Sequence, residues 1–307
     1  MALNAALKQL IEAKLAHTLA PQWALPIADV RRAFRNLWTP AMTGEPVSIR
    51  RIDDVTIPGV DSTIPARVYA PDGPEPCPVM LYFHGGGYVK GGIAESDAFC
   101  RNLAHVTRHL VLSIDYRLAP EHPFPAALDD AVAATVWTGT HTADIGGAPG
   151  PVVLCGESAG GNLAAVTCLR LRSDPRVAIR HQVLLQPVVD FTLSFPSMAM
   201  LPTECLVPRE DLAWYYRTYC GEQCDPKDPR VSPIFAQDLS GLPPALIIAA
   251  EYDTLRDEAE AYAERLRSAG VATRYSCAEG MVHGFLQMRG IVPDAQIAVE
   301  EIARALH

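Results

Sequence analysis

Long apolar runs, clustered basic residues, internal repeats and low-complexity tracts are all missing from this 307-residue sequence. No stretch approaches the roughly 18 consecutive apolar residues of a membrane span, which excludes a spanning helix and a membrane partner. The N-terminus has neither the basic start nor the unbroken apolar segment of a secretory leader, because Lys8, Glu12 and Lys14 interrupt it. A cytoplasmic protein is the expectation. Basic residues are scattered and outnumbered, 26 Lys and Arg against 35 Asp and Glu for a net charge of −9, so a polyanion would be repelled and nucleic acid is not an expected partner. Eight cysteines in a chain of this length make no disulfide framework, and Cys155, Cys168 and Cys277 fall within apolar stretches. Cys220 and Cys224 are the one close pair. On a shared helical face their Cβ atoms would stand about 5 to 6 Å apart, beyond disulfide reach. With no second Cys/His pair to complete a zinc site, free thiols and no metal are expected.

Apolar residues make up 49% of the chain and charged residues 20%, enough to bury about three quarters of the unfolded surface in one large core. Leu3, Leu7, Leu10, Ile11 and Leu15 follow helical spacing until Pro21, and a second helical pattern runs from Ile27 to Leu37, beside Phe34 and Trp38. Two strand-like runs between Ile49 and Ala70 flank a turn at Pro58, Gly59, Asp61 and Ser62. Strand signals at Val79 to Phe83, Leu110 to Ile114, Val152 to Cys155, Val183 to Gln186, Ala245 to Ala250 and Arg274 to Cys277 then alternate with helical ones. The helical signals fall at Ala126 to Trp137, Leu163 to Leu171, Leu255 to Ala269 and Ile297 to Leu306. This alternation predicts an α/β fold, a mostly parallel sheet with helices on both faces. Residues 190–243 break the rhythm, being far longer than a normal crossover. They are rich in proline and carry Phe191, Phe195, Trp214, Tyr215, Tyr216 and Tyr219, and they read as an excursion over the carboxyl ends of the strands, beside the N-terminal helices.

The stretch VVLCGESAGGNL, Val152 to Leu163, passes from strand to helix through a Gly-x-Ser-x-Gly pentapeptide centred on Ser158. The small residues Gly156 and Gly160 permit the reversal, which lifts the serine hydroxyl clear of the sheet. Serine at neutral pH is a poor nucleophile and needs a base, and the base needs an acid to orient it. In open α/β sheets reactive groups gather beyond the carboxyl ends of the strands. His283 meets that condition, following the strand at 274–277 through a short loop. His17, His105, His141 and His307 fall in helices, loops or the chain end, and His109 and His181 precede strands. Asp253, directly after the strand at 245–250, leads as the acid. Glu251, one pleat nearer the strand, stands in reserve, and Asp257 has the ordinary purpose of complementing a helix dipole. The order Ser158, Asp253, His283 is that of an α/β-hydrolase triad. Backbone N–H groups of the glycine triplet after His84, together with that of Ala159, suit an oxyanion. A phosphate-binding loop is the rival reading of the glycines, and it fails because Lys90 is not followed by Ser or Thr at the Walker spacing.

Five segments together resemble the hormone-sensitive-lipase family of carboxylesterases, the bacterial family IV esterases. They are HGGGYVKGG at 84–92, DYRLAPEHPFPAAL at 115–128, GESAGGNLAA at 156–165, YDTLRDEAEAYAERLRSAG at 252–270 and MVHGF at 281–285. The resemblance implies an α/β-hydrolase fold of eight strands with a helical cap and no cofactor. It divides the chain into N-terminal cap helices at 1–45, a catalytic domain at 46–190 and 225–307, and a cap insertion at 191–224. By position, Ser158 is the nucleophile, His283 the base and Asp253 the acid, with Gly86, Gly87 and Ala159 as oxyanion donors and His84 holding the glycine loop. Glu157 stands where the family more often has Asp, and is expected to hydrogen-bond around the elbow. Tyr88 and Phe285, with Phe34, Trp38 and Trp214 from the cap, are expected to line the substrate pocket. The expected reaction is hydrolysis of small or medium carboxylic esters. Two alternatives accompany it: an amide deacetylase with the same triad, and a small-molecule receptor that has lost catalysis, against which the intact triad counts. A homodimer through the edge strand at Arg274 to Cys277 is a further expectation.

Overall fold

The computed structural model describes residues 2–17, 20–221 and 224–307. Helices α1 (Ala5–His17), α2 (Ile27–Leu37) and α3 (Pro40–Thr43) precede a hairpin of β1 (Arg51–Pro58) and β2 (Thr63–Ala70). The chain continues through β3 (Val79–Phe83), α4 (Ile93–Thr107), β4 (Leu110–Ile114), α5 (Ala126–His141), β5 (Val152–Glu157), α6 (Ala159–Leu171) and β6 (Ile179–Leu185). Helix α7 (Arg209–Cys220) lies in the long excursion, and β7 (Ala245–Tyr252), α8 (Arg256–Ser268), β8 (Thr273–Val282) and α9 (Asp294–Leu306) complete the order. Among the described residues the strands form one eight-stranded sheet, β1-β2-β4-β3-β5-β6-β7-β8. The pairs β1–β2 and β2–β4 are antiparallel and the remaining five are parallel. The mostly parallel order is that expected from the alternating pattern, and the eight strands are those that the family resemblance implies. No helix among the described residues is long and apolar enough to cross a membrane.

Side chains in a strand point alternately to opposite faces, and the core divides accordingly. Val79, Leu81 and Phe83 of β3, Val152 and Leu154 of β5, and Ala245, Ile247 and Ala249 of β7 enter one apolar cluster, with α5, α6 and α8. Met80 and Tyr82, Val153 and Cys155, and Leu246 and Ile248 enter the other, with α1, α4 and α9. Strands buried on both faces must be apolar at every position, which is why they read so clearly from sequence. Each fully buried Leu, Ile or Val contributes about 1.5–3 kcal/mol relative to exposure.

Several expectations are corrected. The segment 278–282 is the end of β8 rather than a loop, so His283 follows the last strand directly, and His181 lies inside β6. Helix α4 stands outside the expected elements, although Phe99, Cys100, Leu103 and Ala104 bury at helical spacing. Cys220 and Cys224 are joined as a disulfide, with Cα atoms 5.2 Å apart, instead of remaining free thiols. The separation assumed for them required a continuous helix, but α7 stops at Cys220.

The excursion is anchored by α7, whose Leu212, Tyr215, Tyr216 and Tyr219 form a buried stripe. Tyr219 stacks on Tyr88 and Tyr216 on Phe191, each pair at 3.9 Å between ring centroids. At the point where the chain leaves β6, the buried Glu258 of α8 accepts the Val189 N–H at 2.7 Å and the Asp190 N–H at 3.1 Å. Burial pushes its carboxyl well above the usual range, against the pull of the two N–H donors. Glu258→Ala strands two buried donors and leaves a hole. It should cost about 2–4 kcal/mol, read as a lower urea midpoint, while Glu258→Gln, which keeps an acceptor oxygen, should cost distinctly less.

Candidate active site

Ser158 stands at the junction of β5 and α6 with φ 56° and ψ −117°, a combination that costs an ordinary residue about 1–3 kcal/mol. Its neighbours enforce it. Ser158 N–H donates to the Leu185 carbonyl at 2.8 Å, and the Ser158 carbonyl accepts the N–H groups of Asn162 at 3.0 Å and Val188 at 3.2 Å. Asn162 Nδ2 in turn holds the carbonyls of Val188 and Val231, at 2.9 and 2.7 Å. Gly160 is required because a Cβ there would collide with the carbonyl oxygens of Phe83 and His84. The serine is only 7% exposed.

Asp253 and His283 come from adjacent parallel strands, β7 and β8, whose carboxyl ends lie side by side. His283 Nδ1 donates to Asp253 Oδ2 at 2.8 Å, and Asp253 Oδ1 accepts the Leu255 N–H at 3.0 Å. The competitors turn elsewhere: Glu251 accepts the Gly280 N–H at 2.7 Å, and Asp257 accepts the Ser197 N–H at 2.8 Å. Gln186 brackets the histidine, its Oε1 accepting the Gly284 N–H at 2.7 Å and its Nε2 donating to the Val282 carbonyl at 3.0 Å. Nothing marked Gln186 in the sequence except a polar residue at the end of a buried apolar strand.

Gly86 and Gly87 carry positive φ, 123° and 63°, in the loop after β3. Val89 and Lys90 N–H groups both donate to the Gly86 carbonyl, at 3.2 and 3.1 Å, closing a tight turn. His84 donates Nδ1–H to the Gly85 carbonyl at 2.7 Å and stacks on Tyr116, whose hydroxyl donates to the His84 carbonyl at 2.7 Å. The DYRLAPEHP segment also accepts the turn's load through Ala119 N–H, which donates to the Tyr88 carbonyl at 2.9 Å. A Cβ built on Gly85 would lie 3.5 Å from Ser158 Cβ, which sets this loop beside the elbow. Glu157 is buried and bonded through Oε2 to Gln287 Nε2, joining the elbow to the turn after His283. Burial pushes its carboxyl up, against the pull of Gln287 and His283.

The five expected pocket residues all pack against other aromatic or apolar side chains. Tyr88 is fully buried against Tyr219, and Phe285 is buried in the core on the α9 side. Phe34 and Trp38 pack edge to face at 5.6 Å, while Trp214 packs on Tyr215 at 5.1 Å. A surface cleft of 630 Å³ lies beyond the glycine loop and is lined by Arg35, Asp54, Arg67, Glu95 and Asp115.

Burial alone would pull the His283 pKa down, but the Asp253 charge and hydrogen bond, with the nearby Glu157, raise it above 6.5. A raised histidine contributes stability that is fully present below its ordinary value and is lost as pH rises through the folded value. Asp253→Asn should therefore move the His283 imidazole resonances to a lower titration midpoint in NMR, and should remove that acid-side stability. An unchanged midpoint would mean that the Asp253 charge is not felt by the ring.

Comparison with known proteins matches residues 80–287 to the α/β hydrolase fold family. A carboxylic ester hydrolase, LipN, of Mycobacterium tuberculosis is 41% identical over 281 residues, 90% of this chain and 74% of the relative. An ethyl acetate hydrolase of Pseudomonas putida is 34% identical over 100% of this chain and 99% of its own. Among solved structures, a hyperthermophilic esterase from the archaeon Pyrobaculum calidifontis superimposes with a TM-score of 0.93 at 40% identity, covering 99% of this chain and 98% of that one. On these matches the chain belongs to the α/β-hydrolase fold family, within the hormone-sensitive-lipase or family IV carboxylesterases.

Proposed function

We propose that this carboxylic ester hydrolase cleaves short- to medium-chain esters by forming an acyl-enzyme on Ser158, with His283 as base and Asp253 as its orienting acid. The observation that carries the reading is the 2.8 Å bond from His283 Nδ1 to Asp253 Oδ2. It commits the proton to Nδ1 and leaves Nε2 as the basic nitrogen that a serine hydroxyl requires. Ser158 Oγ attacks the ester carbonyl as Nε2 takes its proton. The backbone N–H groups of Gly86, Gly87 and Ala159 hold the oxyanion, each such donor being worth about 3–4 kcal/mol to the transition state. The imidazolium then protonates the departing alcohol, and water, activated by the same nitrogen, releases the acid and restores the serine. No cofactor enters the balance. Short acyl groups are supported by the Pseudomonas putida relative, whose name gives ethyl acetate as its substrate.

Residues 1–45 and 191–224 serve as a lid over the catalytic unit formed by 46–190 and 225–307. Two contacts support this division: Gln22 Nε2 donates to Asp211 Oδ2 of α7 at 2.8 Å, and the Tyr215 ring abuts Gly87 of the glycine loop.

With a short chromogenic ester such as p-nitrophenyl acetate, Ser158→Ala should abolish turnover and Asp253→Asn should lower kcat by roughly 10³–10⁴-fold with the fold intact by circular dichroism. Equal activity in the wild type and Ser158→Ala would sink the mechanism. Near-normal turnover by Asp253→Asn would return the acid's role to Glu251.

A further inference from the structure

Lys90 closes the turn that carries the glycine-loop donors. Its N–H donates to the Gly86 carbonyl at 3.1 Å, and its own carbonyl occupies the space where a Gly86 Cβ would go, so the backbone of Lys90 and the Gly86–Gly87 peptides move as one. The side chain reaches both lid segments. Nζ donates to Gln22 Oε1 at 2.6 Å and stands 4.8 Å from the centroid of the Phe34 ring and 5.1 Å from that of Tyr215. Gln22 Oε1 also accepts from the Tyr215 hydroxyl at 3.0 Å, and its Nε2 reaches Asp211. At 8% exposure Lys90 is a buried lysine, a placement that calls for a specific reason. The triad chemistry does not use it.

We propose that Lys90 is a positioning residue whose amine ties the Gly86–Gly87 turn to both lid segments, so that the oxyanion donors stand in register with Ser158 when the lid is closed. This rests on the esterase reading above.

Protonation gives the tie a direction. Burial pulls the Lys90 pKa down to about 7, with the Asp211 carboxylate on α7 opposing the fall and the Lys14 ammonium on α1 adding to it. From α2, Arg31 Nε donates to the neighbouring Val89 carbonyl at 2.8 Å and its guanidinium pairs with Glu121. Returned to water, the amine would regain its ordinary value of 10.5. The ammonium therefore favours an opened lid, and the neutral amine, which still donates to Gln22, favours the closed one. Closure strengthens as pH rises from about 7 towards 10.5, the interval in which only the opened state keeps the amine charged.

The test uses the full chain, p-nitrophenyl acetate and the variants Lys90→Met and Lys90→Arg, with kcat and KM measured at pH values on both sides of 7. Lys90→Met should lose about tenfold or more in kcat with a much smaller change in KM, since displaced oxyanion donors act in the transition state. The acid limb of its kcat/KM profile should show one ionisation where the wild type shows two. Lys90→Arg, charged throughout, should also show a single ionisation and stay low at alkaline pH. Hydrogen–deuterium exchange, corrected for intrinsic rate, should rise as pH falls towards 7 from the alkaline side, and level off below 7, in residues 20–37 and 209–220 of the wild type but not of Lys90→Met. Should Lys90→Met not fold, Lys90→Gln carries the same comparison. Unchanged kcat in a folded variant, or two ionisations persisting without Lys90, overturns the proposal. Absence of ester hydrolysis by the wild type would instead remove the esterase reading, and pH-independent exchange in the wild-type lid would still count against Lys90.

Discussion

The backbone at Ser158 is the constraint on which the rest depends. A non-glycine residue at φ 56° and ψ −117° stays there only if its surroundings overdetermine it. Here the Leu185 carbonyl, the Asn162 and Val188 N–H groups and the close passage of Gly160 over the Phe83 carbonyl do so. Those partners come from β3, α6 and the end of β6, so the elbow exists only once the parallel centre of the sheet has formed. The same parallel arrangement sets Asp253 and His283 at neighbouring strand ends, since β7 and β8 point the same way.

Charge near the site is arranged by burial as much as by pairing. Asp253 raises the basicity of His283 against a desolvation that would lower it, which is the balance a general base needs. Glu157 sits one residue before Ser158, bonded to Gln287 of the turn that follows His283. It therefore joins the serine and histidine segments through a carboxyl whose own pKa is driven upward. A residue expected only to hydrogen-bond around the elbow thus spans the segments that carry Ser158 and His283.

Much of this was legible in the chain, for physical reasons that also mark the boundary of legibility. Strands β3, β4, β5 and β7 are buried on both faces, so their unbroken apolar runs announced them. Ser158 was visible because a strained elbow needs glycines at fixed offsets, and Asp253 outranked Glu251 because strand ends collect reactive groups. Gln186 and Gln287 were not visible. Their partners lie 98 and 130 residues away, and a single glutamine carries no periodic signal. The stacking of Tyr88 on Tyr219 was not visible either, since it depends on a positive φ of 65° at Tyr88 and on a ring that comes from α7. The Cys220–Cys224 pair was misjudged because its geometry depends on where α7 ends, and helix ends are poorly marked in sequence.

The central claim is a covalent acyl group on Ser158. The most direct measurement is rapid-quench mass spectrometry of the full chain mixed with p-nitrophenyl acetate, followed by peptide mapping. Acetylation of the peptide containing Val152 to Leu163, localised to Ser158 and absent from Ser158→Ala, is the predicted result. Ester turnover with the acetyl group on another residue, or turnover that Ser158→Ala retains, would contradict the account.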